Sequence, residues 1–299
     1  MKPRAAVLLG VLAVSFAAPL IKLSTAPAPV IAFYRMFLAA GATLLLAKGS
    51  LEPVPRPLWW PIALAGVFLG LHFVVWIASL SFTSVLSSVA LVTLQPVIVA
   101  LASRCFFREH LPTKAYGGIA LAVVGGLVLA MADINGPSGS LFGDLLALLG
   151  AVFISGYLIL GRVIRRSVDT LTYTFWVYTC AALAIFPVIL LNGAAITGYL
   201  ARELLIFLAL AVICTLLGHS VFNWALAYLS PTIVTVAILG EPIGACLWDY
   251  LLFGQIPGLL QLTAGTLLLT GVALFLLATE TQSRASQAKA QKQTTGIDL

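Results

Sequence analysis

Apolar residues run along this chain in long, nearly unbroken blocks, separated by short polar or proline-rich interruptions. A helix that crosses the hydrocarbon core of a bilayer needs about 20 mostly apolar residues. Ten blocks meet that length: 5–23, 29–47, 59–80, 84–105, 112–131, 141–163, 170–192, 203–228, 231–253 and 258–278. The pattern therefore predicts an all-α membrane protein with ten transmembrane helices. The interruptions carry helix-end chemistry: Pro27 and Pro29, Glu52-Pro53-Val54-Pro55-Arg56-Pro57, Pro112, Asn135-Gly136-Pro137, Asn192-Gly193, Ser230-Pro231, and Gly254 to Pro257. Proline is tolerated in the first turn of a helix, where its missing N–H has no partner to lose. Barrel strands fit poorly, because the blocks are evenly apolar and lack the two-residue alternation of a membrane barrel.

Composition agrees. Of 299 residues, 61% are hydrophobic and 9% charged, and the mean hydropathy is +1.10. A soluble domain carries about 25% charged residues, so most of this surface has lipid as its solvent. The net charge of +6 does not indicate nucleic acid, because the charges sit at block ends and in the tail rather than on one face of a domain. Cys105, Cys180, Cys214 and Cys246 lie in or beside apolar blocks without CxxC spacing. They read as small packing residues, not as disulfides or a metal site.

The first block has a second reading. Lys2 and Arg4 followed by Ala5 to Val14 resemble a cleaved signal peptide. Cleavage would remove the partner of a later segment, described below, and retention is the expectation.

Orientation follows from lysine and arginine. With ten spans both termini share a side, and that side holds Lys2, Arg4, Lys48, Arg56, Arg104, Arg108, Lys114, Arg162, Arg165, Arg166, Arg284, Lys289 and Lys292. Only Lys22 and Arg202 lie opposite, with Arg35 inside a span. This places both termini in the cytoplasm of a multi-pass protein of the bacterial inner membrane. Residues 279–299 are polar and aperiodic and read as a disordered cytoplasmic tail.

The second half echoes the first. Leu94-Gln95-Pro96-Val97-Ile98 matches Gly240-Glu241-Pro242-Ile243-Gly244; Phe106-Phe107 meets Leu252-Phe253; Pro112 meets Pro257, and Gly126 meets Gly271. Upstream, Gly10 and Ser15 match Gly150 and Ser155. The expected division is residues 1–133 and 140–278, five helices each. An odd number per copy inverts the second in the membrane. The charges follow: loops 48–58 and 104–114 are basic, while their counterparts 193–202 and 254–257 have lost nearly all basic charge. Inverted repeats provide two nearly equivalent conformations around one mid-membrane site.

Polar groups at mid-membrane are costly and so are functional candidates. His72 and Trp76 stand four apart in the third span and share a helix face. His219 and Asn223 do the same in the eighth, at a nearly matched place. These two faces read as lining one cavity, against the plainer alternative of hydrogen-bonded packing. Gln95-Pro96 and Glu241-Pro242 sit at the centres of the fourth and ninth spans, where proline denies a partner to the carbonyls of Val92 and Ile238. Glu241 reads equally as a substrate or proton group and as a buried structural hydrogen bond. Arg35 reads as a ligand for a substrate carboxylate or as a structural pin. Asp144, Asp249 and Lys22 fall at span ends and read as interfacial. Tyr157 and Trp176 lie at or near mid-span, where they could stack on a substrate. Gly66-x-x-x-Gly70 and Gly240-x-x-x-Gly244 permit close helix contact. No Walker loop, GxGxxG, HExxH, GxSxG or metal-spaced cluster is present, which argues against an ATP-driven pump, a hydrolase, a cofactor or a metal.

Three stretches carry a family likeness: Ile31-Ala32-Phe33-Tyr34-Arg35-Met36-Phe37-Leu38-Ala39-Ala40; Leu94-Gln95-Pro96-Val97-Ile98 running to Phe107-Arg108-Glu109-His110-Leu111-Pro112; and Leu239-Gly240-Glu241-Pro242 running to Leu252-Phe253-Gly254-Gln255. Over residues 5–278 the chain resembles the drug/metabolite transporter superfamily, in particular its EamA-type exporters. It is similar to the YddG group, whose members export aromatic and other amino acids and some cationic compounds. It departs from the pattern at Gln95, where many members have an acid, and at Gln255, which matches Glu109 in the first copy. The resemblance implies a monomeric, non-enzymatic exporter of small organic metabolites. The residues expected to bind substrate are His72, Trp76, Gln95, His219, Asn223 and Glu241. The alternatives are a proton-coupled exporter of lipophilic cations and a membrane protein that transports nothing.

Overall fold

The computed structural model describes residues 3–107, 111–134, 140–165, 167–225 and 237–295, and every regular element among them is helical. In chain order these are α1 (Pro3–Ser15), α2 (Ala17–Leu23), α3 (Ala28–Leu46), a 3₁₀ turn (Arg56–Leu58), α4 (Trp59–Ser79), α5 (Val85–Val92), α6 (Gln95–Phe107), α7 (Thr113–Ile134), α8 (Leu141–Ile164), α9 (Thr170–Leu191), α10 (Ala201–Ala209), a π-helical stretch (Leu210–Ser220), α11 (Val221–Ala225), α12 (Gly240–Phe253) and α13 (Leu259–Thr295). Eight helical segments among the described residues are long and apolar enough to cross a membrane: Ala5–Leu23, Ala28–Leu46, Arg56–Ser79, Thr113–Ala132, Leu141–Gly161, Thr170–Leu191, Ala201–Ser220 and Leu259–Thr281. The block expected as a fourth span is broken in two, and Val85–Val99 counts only as a short apolar helix. Of the expected ninth span, residues 231–236 lie outside the described residues, as do Arg108, Glu109, His110, Asn135-Gly136-Pro137, Arg166 and Ser230-Pro231.

Local chemistry sets the helix ends. Ser84 and Ser140 cap α5 and α8, accepting from the N–H groups of Ser87 and Gly143 at 3.1 and 3.2 Å. The Asp169 carboxylate caps α9, accepting from Leu171 and Thr172 at 2.9 and 3.2 Å. Helix α12 ends on Gly254 in the left-handed region, φ 66°.

Three prolines explain three breaks. Proline offers no N–H to the carbonyl four residues back. Pro19 has this effect at Ser15, and the first span divides at Phe16. Pro96 has it at Val92, and the chain turns at Thr93-Leu94 before α6 begins. Pro242 has it at Ile238, and α12 starts just beyond Leu239. Pro96 and Pro242 therefore sit in the first turns of new helices rather than inside kinked ones. Pro187, by contrast, stays within an unbroken α9.

The core falls into two apolar clusters. One joins α3, α4, α9 and the π-helical stretch around Met36, Ile62, Val177 and Leu210. The other joins α5, α7 and α13 around Leu91, Leu129 and Leu268. Small residues let the helices close. A Cβ on Gly66 would lie 2.4 Å from Cys180 Cβ, and one on Gly244 would lie 2.6 Å from Ser15 Cβ. Both glycine pairs singled out in the sequence thus sit in helix–helix seams. The outward faces carry Leu260, Leu267 and Leu274 on α13 and Leu127 and Met131 on α7, all exposed. In a bilayer that surface meets lipid.

The last helix does not stop at 278. It continues to Thr295, through the stretch whose composition suggested a disordered tail. Alanine, glutamine and lysine there are good helix formers, and a helix already nucleated upstream extends at low cost.

Candidate functional site

The three helix breaks and the π-helical stretch line one cavity. A cavity of about 220 Å³ is lined by Val14 and Ala17 at the first break, Val92, Thr93 and Gln95 at the second, Ile238 and Glu241 at the third, and Thr215 and His219 from the π-helical stretch. Irregular backbone at membrane depth is tolerated where it lines a cavity or is buried in protein, because hydrocarbon offers its polar groups no partner. The regular walls come from α4 (Leu69, His72, Phe73, Trp76), α8 (Ile154, Tyr157, Leu158), Arg35 on α3 and Tyr178 on α9. The volume lies below the roughly 300–1,000 Å³ of drug-sized sites, so the space suits a small molecule.

Five of the six residues expected to bind substrate line this cavity: His72, Trp76, Gln95, His219 and Glu241. Asn223 lies in α11, but its side chain is outside what the structure describes. Trp176 stands edge-on to Trp59, ring centroids 4.8 Å apart, and is not among the lining residues. Tyr157 is among them.

His72 is held in a defined state. Its Nδ1 lies 2.9 Å from the Gly150 carbonyl. A carbonyl only accepts, so Nδ1 carries a proton, and in the neutral ring Nε2 is an acceptor. The imidazole is parallel to the Trp76 ring at 6.0 Å and edge-on to Phe73 at 4.8 Å. Gln95 is fixed through its backbone: the Ser155 hydroxyl donates to its carbonyl at 3.2 Å and to that of Ala151 at 2.6 Å. Ser155 is thus a bridge between α8 and the break before α6.

Arg35 was left open by the sequence, and the structure places it in the cavity wall. Its side chain is 1% exposed. Nε donates to the Thr215 hydroxyl at 2.9 Å, and the guanidinium lies over the Phe73 ring, 4.2 Å from its centroid. Thr215 in turn donates to the Leu210 carbonyl five residues back, at 3.1 Å, a reach that belongs to the wide π turn. Nothing in the apolar pattern of 203–228 announced that turn; the only sign is a small run of polar and glycine residues, Thr215, Gly218, His219 and Ser220.

Beyond the cavity, at the end expected to face away from the cytoplasm, α2 is tied across to α12. Lys22 pairs with Asp249 at 3.0 Å and donates to Gln255 at 3.0 Å. Trp248 donates to the Ser15 hydroxyl at 2.9 Å and stacks on Phe16, centroids 4.2 Å apart. Glu203 accepts from the Ser24 hydroxyl and, at 3.0 Å, from both the N–H and the hydroxyl of Thr25. Thr83 donates to Asp144 at 2.7 Å. Lys22 and Asp249 therefore link α2 to α12, and Asp144 links α8 to the turn between α4 and α5.

Comparison with known proteins adds to this geometry. Residues 3–131 and 141–277 each match the EamA-like transporter family. The uncharacterized transporter YdfC of Bacillus subtilis is 25% identical over 252 residues, 83% of this chain and 81% of that one. The pseudopaline exporter CntI of Pseudomonas aeruginosa is 26% identical over 245 residues, 82% of this chain and 84% of that one. A solved crystal structure with 18% identity superposes with a TM-score of 0.65 over 94% of this chain and 98% of its own, a likeness of fold.

Proposed function

The chain belongs to the EamA-like transporter family, and we propose that this multi-pass membrane transporter exports amino acids, aromatic ones included, and related small metabolites. The route is alternating access, with two inverted copies of five helices, ten in all, around the central cavity and both termini in the cytoplasm. The reading is carried by the convergence of three helix breaks and the π-helical stretch on that cavity, since discontinuous helices are the usual substrate-site builders of transporters. Its walls are mainly apolar, with few polar groups. Gln95 and the two imidazoles would take the polar end of a substrate; Trp76 and Phe73 would shape the apolar part. So little fixed charge suits a zwitterion better than a multiply charged anion.

Glu241 in the lining supports a second reading, proton-coupled export of lipophilic cations. Uptake of radiolabelled amino acids and a quaternary amine into reconstituted liposomes, with and without a pH gradient, separates the two. Amino-acid flux supports the first. Flux of the amine alone, driven by protons, replaces it with the second, and no flux of any probe removes both.

A further inference from the structure

Two donors on lining residues lack a partner. Nη1 of Arg35 and Nε1 of Trp76 are buried without a hydrogen-bond partner. Among the described residues no carboxylate lies within ion-pair distance of the Arg35 guanidinium; Lys22–Asp249 is the ion pair they contain. A buried guanidinium with no anionic partner and an unpaired Nη1 is unfavourable. An arginine retained only to pin helices would be expected to spend its planar fork on protein acceptors. Here Thr215 and Phe73 hold two sides of the guanidinium, which fixes its direction while leaving donor capacity over. What is missing is a planar acceptor, and a carboxylate fits a guanidinium in two parallel bonds.

We infer that Arg35 is the anchor for the carboxylate of the transported molecule, with the Trp76 indole N–H as a further donor in the same wall. The inference rests on the proposed function and narrows it: the substrate is a free carboxylic acid, and the amide or the amine of the same skeleton is refused. Glu241, in the second half of the chain and in the same lining, is the anionic group available to an ammonium end. An α-amino acid supplies both charges on one carbon, with its side chain left to the aromatic and aliphatic wall. Thr215 acts as a positioning residue, because it touches Arg35 rather than the ligand.

Binding to the purified full-length protein tests this apart from transport. The probes are L-phenylalanine, L-phenylalaninamide and phenethylamine, followed by titration calorimetry. The unmodified protein should bind the acid at least about 10-fold more tightly than either of the others, the scale of one charge-assisted pair. Arg35→Gln should bring acid and amide to within about 3-fold of each other, and Arg35→Lys should keep part of the preference. Trp76→Phe removes the indole N–H together with one ring; acid and amide lose the ring contact alike, so the loss of the N–H should reduce the preference a few-fold, about the size of one hydrogen bond. It also carries the test if Arg35→Gln does not fold. Equal binding of acid and amide by the unmodified protein overturns the inference while leaving the transporter reading standing. So does a preference that survives both Arg35→Gln and Trp76→Phe. No binding of any probe overturns the amino-acid reading and this inference together.

Discussion

Replacing Gly125 by alanine should weaken the seam between α7 and α13 by far more than a methyl group suggests. A Cβ there would lie 2.4 Å from the Leu268 nitrogen, 2.8 Å from its Cα and 2.9 Å from the Ala264 carbonyl oxygen. All three are backbone atoms, so no rotamer change relieves the contact. Reaching an ordinary 3.4 Å requires the two helices to part by about 1 Å, and such overpacking costs about 1–3 kcal/mol. The neighbours cannot share the load: Gly118 and Gly271 are equally close, at 2.5 Å from Phe275 N and 2.3 Å from Ala122 N. Gly117, two turns earlier on α7, has nothing within 4 Å of its Cβ position. There alanine should stabilise by about 0.5–1 kcal/mol, the helix-propensity difference. Both alanines gain the propensity term, so the pair should differ by the overpacking alone, about 1–3 kcal/mol, or several degrees in Tm for a chain of this size. Thermal unfolding in detergent, read by tryptophan fluorescence, measures it. Gly126→Ala is a control, because its nearest atom is a leucine methyl at 3.5 Å. If Gly125→Ala melts at or above the temperature of Gly117→Ala, the account of this seam is wrong.

Gln95→Ala and His219→Ala should each cut amino-acid flux in liposomes with expression unchanged; normal flux in both removes the polar wall from the site. Asp169→Ala should cost about 1 kcal/mol through loss of the α9 cap. Hydrogen bonds from Thr172 and Leu171 outweigh burial and hold the Asp169 carboxyl below its ordinary value, so its contribution is present above the unfolded-state pKa and fades as pH falls through the lower native one. The gap between the unmodified protein and Asp169→Ala should accordingly close in acid, as followed by Tm against pH. Asp249→Ala should cost about 0.5–1 kcal/mol, less at high salt, because Lys22–Asp249 is only partly shielded from water. Single cysteines in 48–58 and 193–202 should label from opposite faces of the membrane; labelling from the same face ends the inverted arrangement.

The helices were legible because lipid demands long apolar runs and their ends are marked by proline, glycine and capping residues. Eight of the expected blocks are helices long and apolar enough to cross a membrane, seven with both ends within a few residues of expectation; the block expected at 203–228 meets the criterion over Ala201–Ser220. Pro96 and Pro242 disclosed two of the breaks, and the same rule applied to Pro19 would have disclosed the third. The cavity was partly legible because few polar residues lie at mid-depth, so His72, Trp76, Gln95, His219 and Glu241 stood out. Arg35 could not be decided from spacing: whether a buried arginine is satisfied depends on what the other helices bring to it, here Thr215 and Phe73. The π-helical stretch was invisible for a related reason. Its period differs from 3.6 by less than one residue per turn, and apolar residues surround it on all sides, so no amphipathic pattern reports the difference.

The π-helical stretch is wound differently from the helices on either side of it. Each residue in an α-helix advances the chain by about 100°, and a π turn holds one residue too many for that winding. Expelling a single surplus residue would turn everything after it, Phe222 included, by about that angle while leaving α10 in place. His219 and Thr215 would then no longer face the same space, and the grip on Arg35 would open in the same stroke. A swivel of this kind needs no loop, only a helix wound more loosely than its neighbours.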